Sequence, residues 1–113
     1  MSGSGNRVSR ALELIRQKAV VGMTVPMVAQ AVGCSVRLLE KDFKSATGHS
    51  IVDETNRVRL AKVQDLLRNT SMNESAIAAA SGFGSGAYLR NLFKRRFGLT
   101  MRAWRLQHAK SPR

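Results

Sequence analysis

Apolar residues recur along this chain at spacings of three and four, and no period-2 run of β-branched residues is long enough to make a convincing strand. The pattern predicts an all-α fold of seven short helices. In "RVSRALELIRQKAV" Val8, Ala11 or Leu12, and Ile15 share a face, and Gly22 is placed to end that helix in the left-handed conformation. Thr24 is placed to cap "VPMVAQAV", which tolerates Pro26 in its first turn and stops at Gly33. Ser35 caps "VRLLEKDFKSAT", closed by Gly48. Ser50 opens a longer helix from about Ile51 to Arg68, with Ile51, Val58, Leu60, Val63, Leu66 and Leu67 as its apolar positions and Asn69 at its end. "SMNE" from Ser71 to Glu74 has capping-box spacing and opens a short helix through Ala80. Ser85 caps a helix ending at Phe97 and Gly98, and Thr100 caps a last one carrying Trp104.

The two halves repeat each other. Ala29 precedes Gly33 by four and Leu39 precedes Phe43 by four, with Lys44 next and Gly48 five beyond the phenylalanine. Ala78, Gly82, Leu89, Phe93, Lys94 and Gly98 reproduce this at an offset of 49 or 50. A small residue lets two helices cross closely, the glycine makes a tight interhelical turn, and the Leu/Phe pair points one face of the second helix into a core. The glycine cluster Gly82, Gly84, Gly86 is therefore read as a turn. A phosphate loop would follow a buried strand and end in Gly-Lys-Ser/Thr, whereas "ESAIAAAS" is a helical pattern.

Charge points to the ligand. Nineteen Lys and Arg face seven Asp and Glu in 113 residues, a formal net charge of +12, and no acid follows Glu74. Such a field attracts a polyanion, most commonly nucleic acid. A membrane surface is disfavoured because the basic residues are spread over several short helices, and no apolar run is long enough to span a bilayer. Cys34 is the one cysteine, and neither His49 nor His108 has neighbouring ligands; both read as ordinary surface or packed histidines. No metal, cofactor or nucleophile–base pair is expected, so an enzyme has the least support. A cytoplasmic protein is the expected setting.

"ESAIAAASGFGSGAYLRNLFKRRFGLTMRAWR" resembles the C-terminal signature of AraC/XylS-type transcription regulators, with Ile-Ala, Gly-Phe, Phe-Lys-Arg-Arg-Phe-Gly, a Thr, and the aromatic-Arg pair Trp104 and Arg105. "VAQAVGCSVRLLEKDFKSATGHS" resembles the first helix-turn-helix of that family and "RVRLAKVQDLL" its linker helix, so the resemblance spans roughly residues 7 to 106. "LLEKDFK" and "DETNRVRLAK" look most like the branch that contains the xylose operon regulator. Met101 stands where proline is usual, Asn91 where arginine is common, and Glu54 where the family has an apolar or aromatic residue. A pairing of Glu54 with Arg57 would be worth a few tenths of a kcal/mol.

The resemblance implies two homeodomain-like helix-turn-helix lobes joined by a linker helix: residues 6–49, 50–69 and 70–107 within a domain of 6–113, with 1–5 ("MSGSG") a linker or a scar left by excision. It implies double-stranded DNA as partner, a regulator that is more an activator than a repressor, RNA polymerase as a further partner, and sugar-responsive control through an effector domain outside this chain. The fragment itself is expected to be monomeric, because a linker helix of ~27 Å sets two reading helices about one DNA turn, ~34 Å, apart.

Helical geometry then names the contact residues. With Leu39 and Phe43 inward, Arg37, Glu40, Lys41 and Lys44 face out; with Leu89 and Phe93 inward, Gly86, Ala87, Arg90, Asn91 and Lys94 face out, with Tyr88 at the edge. Arg37 or Lys41 suits guanine O6 and N7, Glu40 cytosine N4, and Asn91 adenine N6 and N7. Gly86 and Ala87 permit close approach and contact with a thymine methyl. Lys44, Lys94, Arg95 and Arg96, with Ser35 and Ser85 at helix N-termini, suit the phosphate backbone. The alternative is that every one of these cations merely holds phosphate, as in an architectural DNA binder, or meets an acidic protein partner.

Overall fold

The computed structural model describes residues 3–109 and is all-helical over that range. The helices are α1 (Gly3–Lys18), α2 (Val25–Val32), α3 (Val36–Thr47), α4 (Ile51–Asn69), α5 (Glu74–Ala80), α6 (Gly86–Phe97) and α7 (Met101–His108), with a single 3-10 turn at Ala19–Val21. The chain divides into two compact units, Met1–Val58 and Arg59–Arg113, and α4 runs through the division. Of the five residues expected to be linker, Gly3 to Gly5 are helical, and Met1 and Ser2 lie outside the described residues. Gly/Ser composition is a weak guide where an amphipathic helix follows immediately and can propagate backwards.

In the first unit the apolar faces of α1, α2 and α3 close on Val8, Ala11, Ile15, Val28, Ala29, Leu39 and Phe43, and Ile51 of α4 joins them. Thr24 and Ser35 cap α2 and α3 by accepting from Met27 N–H and Leu38 N–H. Gly33, at φ +81°, turns the chain between α2 and α3. Its N–H donates to Gln30 O and the Cys34 N–H to Ala29 O, the pair of bonds that closes a Schellman turn. A side chain at that φ would be strained. From outside the core, Arg7 holds Asp42 of α3 at 2.8 Å and Arg10 donates to Ala31 O. The first ties α1 to α3 and the second ties α1 to the end of α2.

The second unit repeats the device. Gly82 has φ +89°, and the Phe83 N–H donates to Ala78 O as Cys34 does to Ala29 O. Buried Ser81, which stands where the first unit has Val32, sends its hydroxyl to Ile77 O at 2.7 Å and so brings no unmet polar group into the core. Leu60, Val63 and Leu67 of α4, Ile77 and Ala78 of α5, Leu89, Leu92 and Phe93 of α6, and Trp104 of α7 form one core, with Phe97 and Leu99 packed against it. One expectation is corrected here: α5 is capped by Asn73, whose Oδ1 accepts from Ala76 N–H at 2.8 Å, and not by Ser71.

Glu54 has more to do than an exposed i,i+3 pair. Its carboxylate is buried, accepts from Nε and Nη2 of Arg57, and lies 2.9 Å from His49 Nε2. The Arg57 hydrogen bond, reinforced by His49 and opposed by burial, holds the Glu54 pKa below its usual 4.5. A carboxylate with a lowered folded-state pKa contributes stability that is present above its unfolded value and is lost as pH falls through the folded one. Glu54→Gln is therefore expected to flatten the decline of stability below about pH 4.5, as read by urea unfolding at stepped pH. An unchanged slope would show that the cluster adds nothing to the acid response.

Candidate nucleic-acid interface

Every outward residue read from the sequence lies at the surface. On α3, Leu39 and Phe43 have no exposed area, while Arg37, Glu40, Lys41 and Lys44 are exposed. On α6, Leu89 and Phe93 are likewise sealed, Leu92 is buried beside them, and Ala87, Tyr88, Arg90, Asn91, Lys94, Arg95 and Arg96 are exposed, with Gly86 half-buried. Among the described residues, none of the Lys and Arg side chains on these two faces forms an ion pair within the chain. Asp42 of α3 is engaged by Arg7 of α1 at 2.8 Å. A phosphate or a guanine edge therefore meets cations that no carboxylate has neutralised.

The serines at the helix starts have a double capacity. Ser35 Oγ accepts from Leu38 N–H at 3.1 Å and Ser85 Oγ from Tyr88 N–H at 3.2 Å. Accepting the cap bond leaves each hydroxyl hydrogen to donate outward. On α6, a Cβ at Gly86 would stand 3.7 Å from Arg90 Nη1, so Arg90 lies back along the helix toward its N-terminus. Tyr88 is tilted against Phe83, centroids 6.0 Å apart, and the Arg59 guanidinium sits 6.0 Å from the Phe83 ring. Burial lowers the Arg59 pKa, and the guanidinium keeps its charge at any physiological pH because its starting value is so high.

The sequence reading did not place the wall beside α6. A cleft of about 600 Å³ runs along Arg90, Asn91 and Lys94, and its other side is built by Glu74 at the start of α5 and by Thr100 to Arg102 at the start of α7. Helical periodicity shows which way a side chain points on its own helix and is silent about which helix flanks it. The charge asymmetry was open to view in the sequence: residues 59–113 hold eleven Lys and Arg against two acids, and residues 1–58 eight against five. Among the described residues, no group of three His, Cys, Asp or Glu is placed to hold a metal, and no helix is long and apolar enough to cross a membrane.

Two units built on the same interhelical turn, each presenting the basic outer face of its second helix, define a double helix-turn-helix domain of the DNA-binding class. A helix-turn-helix domain family model matches residues 28–107, and the chain belongs to this family, in its AraC/XylS type. That family is one of transcription-regulator DNA-binding domains and not of enzymes. The xylose operon regulatory protein of Escherichia coli K12 is 33% identical over 98 residues, which cover 87% of this chain and 25% of the relative. The chain thus spans about a quarter of that relative's length. An AraC-type regulator from Chromobacterium violaceum superposes with a TM-score of 0.79 at 30% identity, covering 96% of each chain. The DNA-binding domain of the transcriptional factor AdpA, solved with a target DNA, matches with a TM-score of 0.74 at 25% identity over 95% of this chain and 93% of that one.

Proposed function

We propose that this chain reads duplex DNA sequence with α3 and α6 as the DNA-binding part of a bacterial transcription activator. The observation that carries the reading is the duplicated arrangement itself, in which each Leu/Phe pair is buried and the opposite face of the same helix is basic and unpaired. Arg37, Glu40, Lys41, Arg90 and Asn91 are assigned to base edges, with Gly86, Ala87 and Tyr88 at close approach. Lys44, Lys94, Arg95, Arg96, Ser35 and Ser85 are assigned to the backbone. The protein acts in the cytoplasm, uses no cofactor and catalyses no reaction. RNA polymerase is its further partner, and the domain works as a monomer. The likeness to the xylose operon regulator supports control of sugar-utilisation genes, with the effector bound by a separate domain.

The test is selection of bound duplexes from a randomised pool at near-physiological salt. Two short, unequal motifs are expected. Alanine at Arg37, Lys41 or Arg90 is expected to relax preference at a single base pair at a cost of about 1–3 kcal/mol. Enrichment no better than chance, with uniform loss on every sequence, would replace the reading with that of an architectural DNA binder.

A further inference from the structure

Four cations that make no ion pair among the described residues line the α5–α6–α7 cleft: Arg90, Lys94 and Arg95 from α6, and Arg102 from α7. Glu74, the last acid of the sequence, lines the same cleft. No salt bridge joins it to any of the four, although each carries the opposite charge. Cations gathered on two walls of one groove repel one another, and a low-dielectric groove concentrates their field on whatever anion enters. The arrangement is completed by a ligand that brings negative charge along the length of α6.

We propose that this cleft seats a stretch of the sugar-phosphate backbone of one DNA strand, with Arg102 as a phosphate ligand and Glu74 as an opposing charge that limits affinity. The inference rests on the DNA-reading role of α6 argued above. Arg90 and Asn91 belong both to the base-reading face and to the cleft. A helix laid in a major groove has a phosphate strand on each side, and the wall formed by α5 and α7 is where one strand runs. Arg102 lies outside the helix-turn-helix proper, on the exposed side of the second residue of α7, so its guanidinium adds a contact without burying the chain around it. Glu74 faces the same strand with the wrong sign for a phosphate. It lowers specific and non-specific affinity alike, which limits how tightly a +12 domain is held on any duplex.

The experiment measures duplex affinity against salt concentration for the wild-type chain, Arg102→Ala and Glu74→Gln, on the selected duplex and on a scrambled one, with thermal unfolding as the folding control. Arg102→Ala is expected to weaken both duplexes by the same factor and to reduce the slope of log K against log salt by about 0.9, the value for one lost phosphate contact. Glu74→Gln is expected to tighten both duplexes severalfold, the scrambled one at least as much as the selected one. A folded Arg102→Ala chain with an unchanged salt slope, or a Glu74→Gln chain that binds no tighter, overturns the inference while the base-reading role stands. A wild-type chain that does not prefer the selected duplex to the scrambled one overturns the base-reading role instead.

Discussion

Alanine in place of Phe93 is expected to destabilise the second unit by about 3–5 kcal/mol. The ring is fully buried, its centroid lies 4.6 Å from that of Phe97, and it meets Trp104 edge-on at 6.1 Å. Removing it takes away both the transfer of the ring from water and the contacts of its neighbours, because a core of this size relaxes only partly into the cavity. A unit of some fifty residues buries a small core, so the loss is comparable with its whole stability. Trp104 is the one tryptophan of the chain and touches the substituted ring, so its fluorescence reports this unit directly. Urea unfolding followed at Trp104 checks the prediction, and a loss under 1 kcal/mol would contradict it. Phe43 is as fully buried but belongs to a different core, which shares no residue with the Phe93 core. Phe43→Ala is accordingly expected to move the Trp104 transition much less.

Local signals carried most of the architecture. Caps and glycine stops act within one turn of a helix, so Thr24, Ser35, Ser85 and Thr100, together with Gly33, Gly48 and Gly98, could be read directly and are found in those roles. The internal repeat identified the faces of α3 and α6 for the same reason. Readings failed where a distant residue decides a local outcome. Ser71 and Asn73 are both competent caps by sequence, and the cap is Asn73, at the end of a loop whose Thr70 and Met72 carbonyls accept from Arg105 of α7. Glu54 reads as a departure with a weak partner, and only the packing that buries it and brings His49 within 2.9 Å makes it a fixed three-residue cluster. The cleft that brings Glu74 and Arg102 alongside α6 depends on the packing of three helices, which no single helical period encodes.

That loop is the second place where one side chain carries a large share of the stability. The Arg105 guanidinium donates from Nε to Leu67 O at 3.0 Å, from Nη1 to Met72 O at 2.8 Å, and from Nη2 to Thr70 O at 2.9 Å, with a longer contact to Leu66 O at 3.4 Å. Leu66 O already accepts from the Thr70 N–H and hydroxyl, and this planar fork supplies a donor to Leu67 O, near the end of α4, together with two carbonyls of the loop that leads to α5. Beside it, the Arg68 guanidinium of α4 lies 5.3 Å from the Trp104 ring, a second contact between α4 and α7, while the His108 ring stacks on Trp104 at 4.0 Å within α7 itself. Arg105→Ala removes about three good charge-assisted bonds. Water replaces part of them at this half-buried site, so the expected cost is about 2–4 kcal/mol and not their full sum. Lysine presents a point charge with no fork, and Arg105→Lys is expected to recover less than half of that loss. The same Trp104 fluorescence in urea measures both variants. If alanine cost less than 1 kcal/mol, or lysine restored wild-type stability, the guanidinium geometry would not be what joins α7 to α4. Because Arg105 lies away from the exposed face of α6, the folded fraction of either variant should keep its base preference and its salt slope, whereas Arg102→Ala should change the slope and leave the unfolding transition where it was.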